Sequence, residues 1–256
     1  MSVTALPLSG PLSAHWLRGL SLLAFTLVWE LLALVLASPL LPTPVAVLES
    51  GWQHLVSGEM LHHLGLTLMR VAVAFIVSMA VGTAFGMLMG SRRRWDAALD
   101  GLLVLGLNIP ALVTIILCYI WFGLTEVAAI LAVALNKIPI VVVTVREGAR
   151  TVDRHLMEVA EVYRLSRWET FSKVYLPQLF PYLMAAARNG LALIWKIVLV
   201  VELLGRSDGV GFELGTFFQF FDISSILAYT LAFALVVLMA EGLLIRPLEK
   251  RLNRWR

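Results

Sequence analysis

Six apolar stretches, each about 20 residues long, dominate the sequence and limit what it can fold into. A helix needs about 20 mostly apolar residues to cross the hydrocarbon core of a bilayer. The whole chain is 60% hydrophobic and only 14% charged, which is too apolar for an ordinary soluble domain. The sequence therefore predicts an all-α membrane protein with six transmembrane helices, over residues 16–37, 66–90, 101–122, 126–145, 183–204 and 225–245.

Basic residues collect on one side of these predicted helices. Fourteen lysine and arginine residues lie in the connections 91–100 and 146–180 and after residue 245, whereas the opposite connections hold only Arg206. Loops rich in lysine and arginine stay in the cytoplasm. We therefore expect both termini to be cytoplasmic, and an even number of spans independently requires the two termini to share one side.

The remaining composition excludes several classes of protein. The net charge of +3 is too small to indicate a nucleic-acid partner, and a single cysteine excludes an intrachain disulfide framework. The pattern formed by His54, Glu59, His62 and His63 is too loose for a metal site. Because the sequence also shows no Ser/His/Asp constellation, we predict neither a metal nor catalytic residues. No second domain is visible, and residues 1–256 are predicted to form one transmembrane domain.

The polar connection 146–182 has the pattern of amphipathic helices rather than that of a passive loop. Apolar residues recur at helical spacing in two groups, which are separated near residues 164–166. Pro177 and Pro181 are expected to end or kink the second group, because proline lacks an N–H and clashes with the preceding turn. The sequence thus predicts two short amphipathic helices, whose apolar faces lie in the membrane interface or against a partner.

Several motifs, taken in their order along the chain, resemble one protein family. Between Leu41 and Gly215 the sequence contains LPTPVAVL, GEMLHHLGLTLMRV, NIP, WFGLTE and KIPIVVVTVREGA. The connection 146–182 contains Glu158-Val159-Ala160, followed by Phe171, Val174, Leu176 and Pro177. This connection resembles the E-A-A loop of membrane permeases in binding-protein-dependent ABC importers. The whole set resembles the nitrate/sulfonate/taurine/bicarbonate class of these permeases.

The resemblance implies a type I ABC importer permease architecture with a cytoplasmic coupling loop between spans 4 and 5. Two copies would form a homodimeric pore in the bacterial inner (plasma) membrane, surrounded by lipid. A dimer of separate ABC ATPase subunits would bind ATP and Mg²⁺, and a periplasmic binding protein would deliver substrate. This chain has no GxxxxGK[ST] motif, so we expect no ATP or other cofactor on it. The residues implied to contact the ATPase are Glu158, Val159, Ala160, Arg164, Leu165, Ser166, Trp168, Phe171 and Pro177.

Arg164 departs from the family pattern. The family has glycine six residues after the glutamate, where glycine supplies an unusual backbone angle for the bend between the two short helices. Arginine meets a steric penalty in a left-handed conformation. We therefore expect this chain to place or shape the bend differently from the family.

Polar side chains inside the predicted spans are candidates for the transport pathway, because charges within a bilayer are costly and are usually kept for function. Asn136 and Lys137 in the fourth span, and Lys196 in the fifth, are predicted to line an anion pathway. A buried ion pair or a side chain that extends to the membrane surface would also explain Lys137.

Other residues within the spans suggest packing or structural roles. Arg70 and Glu30 are candidates for an ion pair across the first two spans, and Glu202 is expected at the outer interface. Asn108 and Pro110 are expected to break the third span locally. Small residues at a spacing of four let two helices approach closely in lipid, which predicts a helix-packing role for Gly82, Gly86 and Gly90.

Three function classes fit such a chain. The resemblance favours the permease of an ATP-driven importer that moves a small oxyanion, such as a sulfonate, taurine or nitrate, by alternating access. The alternatives are an ion-coupled secondary transporter, or an importer of a heterocyclic or cationic nutrient. An intramembrane enzyme would need paired acidic or histidine groups at one depth, and the sequence shows no such pairs.

Overall fold

Helices account for nearly all of the residues that the computed structural model describes, which are residues 11–245. Two further segments, Thr170–Tyr175 and Glu241–Ile245, are π-helical. In chain order the α-helices of this part of the chain are α1 (Pro11–Leu36), α2 (Pro44–Val56), α3 (Glu59–Ser91), α4 (Arg93–Asn108), α5 (Ala111–Phe122), α6 (Glu126–Arg150), α7 (Arg154–Val162), α8 (Arg167–Glu169), α9 (Leu176–Gly205), α10 (Val210–Gln219) and α11 (Ile223–Ala240).

Five helical runs among the described residues are long and apolar enough to cross a membrane. They are α1, α3, α6, the run Arg167–Gly205 and α11, and they contain five of the six predicted spans. The third predicted span, 101–122, is not one straight helix, because α4 and α5 meet at a bend of 98°. This pair adds a sixth crossing if it is counted as one span. The predicted local break of the third span at Asn108 and Pro110 is confirmed.

The prediction that Pro177 and Pro181 end or kink a helix fails in its first part, because no helix ends there. The backbone stays helical over Arg167–Gly205, through both prolines. Immediately before Pro177 the helix widens into the π-helical turn Thr170–Tyr175. A π-helical turn shifts the hydrogen-bonding register by one residue, which relieves the clash between a proline ring and the carbonyl four residues before it. The second amphipathic segment is therefore the beginning of the long helical run Arg167–Gly205 rather than a separate short helix.

The most extensive helix contact in the described bundle joins α3 to α6. The two helices run parallel, and three glycines of α3 lie against three residues of α6 at the same spacing of four: Gly82 against Val141, Gly86 against Val145 and Gly90 against Ala149. At each of these glycines an added Cβ atom would collide with the facing side chain. Because glycine has no Cβ, the two backbones approach more closely than any other residue would allow.

One apolar core joins α3, α6, α9 and α11, and α9 runs antiparallel to α6. Trp195 of α9 and Phe233 of α11 meet edge to face, with ring centroids 5.8 Å apart. The described side chains of α1 are mostly exposed, and the main contact of this helix is with α2. We call the end of the bundle where α3 and α6 begin the cap end, because α2 and α10 cover it. The opposite end, which carries α7, is the loop end.

Gly86→Ala is expected to destabilise the bundle by about 1–3 kcal/mol, the usual penalty for forcing extra atoms into a packed interface. The new Cβ would lie 2.7 Å from the Cβ of Val145 and 3.0 Å from the carbonyl oxygen of Val142. Gly65→Ala is the matched control, because Gly65 lies on the same helix and a Cβ there meets nothing within 4 Å. The free energy of unfolding in bicelles should fall only for Gly86→Ala. Equal values for the two variants would contradict the packing role.

Candidate functional site

A buried arginine organises the cap end of the bundle. Arg70 of α3 is 1% exposed, and all five of its N–H groups have acceptors. Nε and Nη2 donate to the two carboxylate oxygens of Glu126, at 2.9 and 2.6 Å. Nη1 donates to Glu202 at 2.7 Å and to the carbonyl of Asp208 at 2.9 Å, and Nη2 donates to the Asp208 carboxylate. This one guanidinium group therefore joins α3, α6, α9 and the turn after α9.

The same cluster holds the start of α10. The first N–H groups of a helix have no partner within the helix. Three consecutive amides at the start of α10 find acceptors on other helices instead: Gly209 N–H donates to His63 Nδ1 at 2.9 Å, Val210 N–H to Thr67 Oγ1 at 2.9 Å, and Gly211 N–H to Glu202 at 2.8 Å. The position of α10 at the cap end is thus set by side chains of α3 and α9.

One sequence-based prediction fails in this cluster, because Arg70 pairs with Glu126, Glu202 and Asp208 rather than with Glu30. Glu202 lies at the cap end near the end of α9 and is fully buried within the bundle, and its position at the outer interface of the membrane stays a prediction. The hydropathy pattern shows that charges at Arg70 and Glu202 are unusual within apolar stretches. It does not reveal their partners, which lie more than 50 residues away along the chain. The three-residue spacing of Thr67 and Arg70, which puts both on one face of α3, is the one local clue.

Asp208 lies in the turn between α9 and α10, where opposing effects act on its carboxyl group. Partial burial works to raise the pKa of Asp208. The hydrogen bond and the positive charge of Arg70 outweigh that effect, and they hold the pKa of Asp208 below its ordinary value. The turn therefore keeps a carboxylate ready to accept the Arg70 hydrogen bond over the physiological pH range.

At the loop end, α7 ends in a cap in which Arg164 has a left-handed backbone, with φ of 53°. The Arg164 N–H donates to the carbonyl of Glu161 at 2.9 Å, and the Leu165 N–H donates to the carbonyl of Ala160 at 3.0 Å. These two bonds form the Schellman pattern, whose left-handed residue is usually glycine. The bend lies at Arg164, the position of the family's glycine, so the expected displacement is wrong, whereas a different shape of the bend stays a prediction. The chain bears the strain of the left-handed angle at this position.

A second cap follows the bend immediately. Ser166 Oγ accepts the N–H of Glu169 at 3.2 Å, and the Glu169 carboxylate accepts the N–H of Ser166 at 3.1 Å. This reciprocal pair is a capping box, which fixes where the next helix begins. The two amphipathic helices are therefore joined by a defined turn over residues 163–166.

The segment that contains these caps exposes a large apolar surface. Leu165 and Phe171 are half-buried, and the ring of Phe171 lies 5.9 Å from those of both Trp168 and Tyr175. Ala160 is buried, whereas Pro177 is exposed. The exposed apolar side chains are Leu156, Val159, Val162, Tyr163 and Trp168. The carboxylate of Glu158 is also exposed and lies on α7 beside them.

A groove of about 910 Å³ separates this segment from the loop end of α3. Its lining combines apolar residues such as Met87, Leu88 and Phe171 with arginines and glutamates. The groove leaves α7 attached to the bundle mainly through the turn and the beginning of the next helix. The α7 helix is therefore a projecting element.

The predicted pathway residues occupy three different environments. Lys137 lies at mid-length in α6 and is 1% exposed, and its Nζ has no hydrogen-bond partner within the described part of the chain. Asn136 is half-buried, and Lys196 is exposed on α9. Lys137 lies against Gly190, six residues before Lys196, so about 9 Å along α9 separates the levels of the two lysines. The structure does not bring the three side chains into one contact.

The helices and the exposed segment define this chain as an α-helical multi-pass membrane protein with a projecting amphipathic element. The chain belongs to the family described as binding-protein-dependent transport system inner membrane component, whose model matches residues 82–252. That match confirms the resemblance to ABC importer permeases that the sequence motifs indicate.

Relatives of the chain support the same class. The chain is 32% identical over 244 residues to the putative aliphatic sulfonates transport permease protein SsuC of Bacillus subtilis, covering 94% of this chain and 88% of the relative. It is 29% identical over 253 residues to the taurine transport system permease protein TauC of Escherichia coli, covering 96% and 92%. It is 28% identical over 223 residues to the nitrate import permease protein NrtB of Synechocystis, covering 84% and 81%.

Solved structures show the same fold. An amino acid ABC transporter crystallised with histidines superposes with a TM-score of 0.60 at 19% identity, covering 77% of this chain and 95% of the other. The inward-facing MetNI methionine ABC transporter gives a TM-score of 0.62 at 16% identity, covering 73% and 93%. The fold is therefore that of an ABC importer permease.

Arg70→Met is expected to destabilise the protein by about 3–5 kcal/mol, because it leaves the fully buried carboxylate of Glu202 without its cationic partner. Arg70→Lys should not restore stability, since an ammonium group cannot reproduce the planar five-donor fork. Arg150→Met is the control. Its guanidinium is 41% exposed, and exposed ion pairs contribute about 0–1 kcal/mol. Denaturant unfolding in detergent measures all three, and a fully stable Arg70→Lys variant would refute the requirement for the fork.

Arg164→Gly is expected to stabilise the turn after α7 by about 1 kcal/mol, because glycine adopts a left-handed backbone without the steric penalty. Leu165→Gly is the matched control. It adds the same flexibility one residue later, where no left-handed angle is needed, and should destabilise the segment. Hydrogen exchange of the α7 amides measures both effects. Faster exchange in Arg164→Gly would contradict the role of strain at this bend.

Proposed function

We propose that this chain is the pore-forming permease subunit of an ATP-driven importer, which moves a small oxyanion across the bacterial inner membrane by alternating access. The observation that carries the proposal is the exposed apolar surface of α7 and Trp168 at one end of a permease bundle. Apolar surface of this kind, on a helix that projects from the bundle, suits insertion into a partner.

The ATPase partner supplies the groove that receives α7 in this proposal. Glu158, Val159 and Trp168 point outward and make the contact. The other implied coupling residues position them. Ala160 and Leu165 pack inward, Arg164 makes the bend and Ser166 starts the next helix. Phe171 packs against Trp168 at a tilt, and Pro177 follows the π-helical turn. ATP and Mg²⁺ bind to the ATPase dimer, and its closure pulls on α7.

A second copy of the chain completes the pore in this proposal. Asn189, Ala192 and Lys196 are exposed at helical spacing along α9. A lysine and an asparagine on the lipid side of a membrane helix are expensive, whereas a water-filled pathway between two copies accommodates both. The distribution of basic residues places the loop end in the cytoplasm. The cap end then faces the periplasm, where a binding protein delivers the substrate.

The substrate of this proposal is an oxyanion, with a sulfonate, taurine or nitrate as the leading candidates. Both the basic side chains of this chain and the names of its relatives support an oxyanion substrate. Lys137 and Lys196 lie on the two helices proposed to border the pathway, and Asn136 adds an amide donor. Relatives of this chain carry names that refer to aliphatic sulfonates, taurine and nitrate, and each of these compounds bears an oxyanion.

Uptake by cells that lack the gene tests the proposal. Labelled taurine, ethanesulfonate and nitrate are supplied separately, and one of them should lose most of its uptake until the wild-type gene is restored. Glu158→Lys should restore less than about a tenth of that uptake, because charge reversal on an interface residue of this kind costs several kcal/mol. The variant should still insert in the membrane but no longer copurify with the ATPase subunit.

Glu49→Lys is the matched control for this experiment. It makes the same charge reversal on an exposed residue of α2 at the cap end, and it should copurify with the ATPase like the wild type. Normal copurification of Glu158→Lys would show that α7 is not the contact. Uptake that persists without the ATPase gene and follows an ion gradient would favour a secondary transporter instead.

A further inference from the structure

Lys137 is a buried basic residue whose ammonium group lacks a hydrogen-bond acceptor in the described part of the chain. It lies near the middle of α6, its exposure is 1%, and its Nζ has no hydrogen-bond partner among residues 11–245. Its Cε and Nζ approach Gly190 of α9, beside the ring of Phe75. The nearest carboxylates of α6 are Glu126 and Glu147, which lie at least about 15 Å away along the helix.

Arg70 shows how the same bundle treats a charge that serves structure. Its guanidinium has an acceptor for every N–H, and these acceptors come from three different segments. An ammonium group offers three donors and no acceptor, and a buried polar group without partners is unfavourable. An apolar side chain at position 137 would therefore stabilise the fold more than Lys137 does.

The packing around Lys137 decides on which side an acceptor can enter. On the α3 side, the glycine contacts at Gly82, Gly86 and Gly90 hold α3 tightly against α6, beginning about one helical turn beyond Lys137 at Val141. On the α9 side, the lysine stem lies against Gly190, which has no side chain to hold it in place. A separation of α6 from α9 at this level would expose Nζ without disturbing the contact between α3 and α6.

We propose that Lys137 forms an oxyanion site that exists only when α6 and α9 separate. This inference rests on the proposed function and adds that the site depends on conformation. The entering oxyanion supplies the acceptors that the closed arrangement lacks. A ligand that binds one arrangement and not the other shifts the equilibrium toward the first. The substrate anion thereby favours the open arrangement through which it passes.

Cysteine accessibility tests the conformational part of this proposal. Lys137→Cys is made in a Cys118→Ala background, because Cys118 is the one cysteine of the sequence. The complete transporter, with its ATPase and binding protein, is reconstituted in liposomes and treated with a methanethiosulfonate reagent that carries a sulfonate. The reaction should be at least about 10-fold faster during ATP turnover than at rest, the usual scale of coupling between a ligand and a conformational change.

Ala132→Cys is the matched control for accessibility. Ala132 lies on the same helix, is fully buried in the apolar core, and is not part of the proposed site. It should stay unreactive at rest and during turnover. If Lys137→Cys stays equally unreactive in both conditions, the site does not open and the proposal is wrong.

Transport of labelled ethanesulfonate, taurine and nitrate tests the chemical part. Lys137→Met keeps the length of the side chain and removes its charge, and it should lower uptake of the transported anion at least about 10-fold. Lys137→Arg restores a cation and should recover most of this loss. Both variants should still copurify with the ATPase and hydrolyse ATP, a readout that a misfolded chain would not retain.

The two proposals fail in different ways. If the wild-type transporter takes up none of these anions, the proposed function is overturned and this inference falls with it. If the wild type transports an anion and Lys137→Met does so at the same rate, only the role of Lys137 is overturned. Recovery by Lys137→Arg together with loss in Lys137→Met supports the charge itself as the determinant.

Discussion

The fully satisfied guanidinium of Arg70 is the interaction on which the cap end of this protein depends. A charge in a membrane bundle is tolerated only when its hydrogen bonds are complete, and here Glu126, Glu202 and Asp208 complete them. Further features of the fold follow from that requirement. The carboxylate of Glu202 comes so close to the start of α10 that Gly209, with φ of +104°, has no room for a Cβ. The cluster therefore dictates both the turn and the helix that follows it.

Arg70 and Lys137 show that two equally buried basic side chains can have different roles. Both side chains are 1% exposed, but Arg70 has an acceptor for every donor and Lys137 has none among the described residues. A satisfied buried charge fixes helices relative to one another, and its loss is a loss of structure. A buried charge without hydrogen-bond partners lowers the stability of the fold. Its presence is explained if a ligand supplies the missing acceptor. The number of satisfied donors, rather than burial alone, separates the two roles.

Hydropathy and family motifs were sufficient to predict the fold class, because lipid requires about 20 apolar residues per crossing and leaves a strong signal in the sequence. The break at Pro110 was also predictable, since proline acts locally. The path of the chain through Pro177 was not, because a π-helical turn accommodates the ring in a way that proline alone does not reveal. The partners of Arg70 lie more than 50 residues away, and a single sequence carries no record of such distances.

The segment around α7 at the loop end illustrates how adjacent caps hold a short helix in a fixed shape despite local strain. A helix of nine residues, the length of α7, is unstable alone in water. Here the Schellman bend at Arg164 and the capping box of Ser166 and Glu169 define where α7 ends and where the next helix begins. A helix held in this way is already formed before any partner arrives, so association does not have to order it. The left-handed backbone of Arg164 weakens that arrangement slightly without removing it, because the flanking hydrogen bonds determine the turn more strongly than the residue that occupies it.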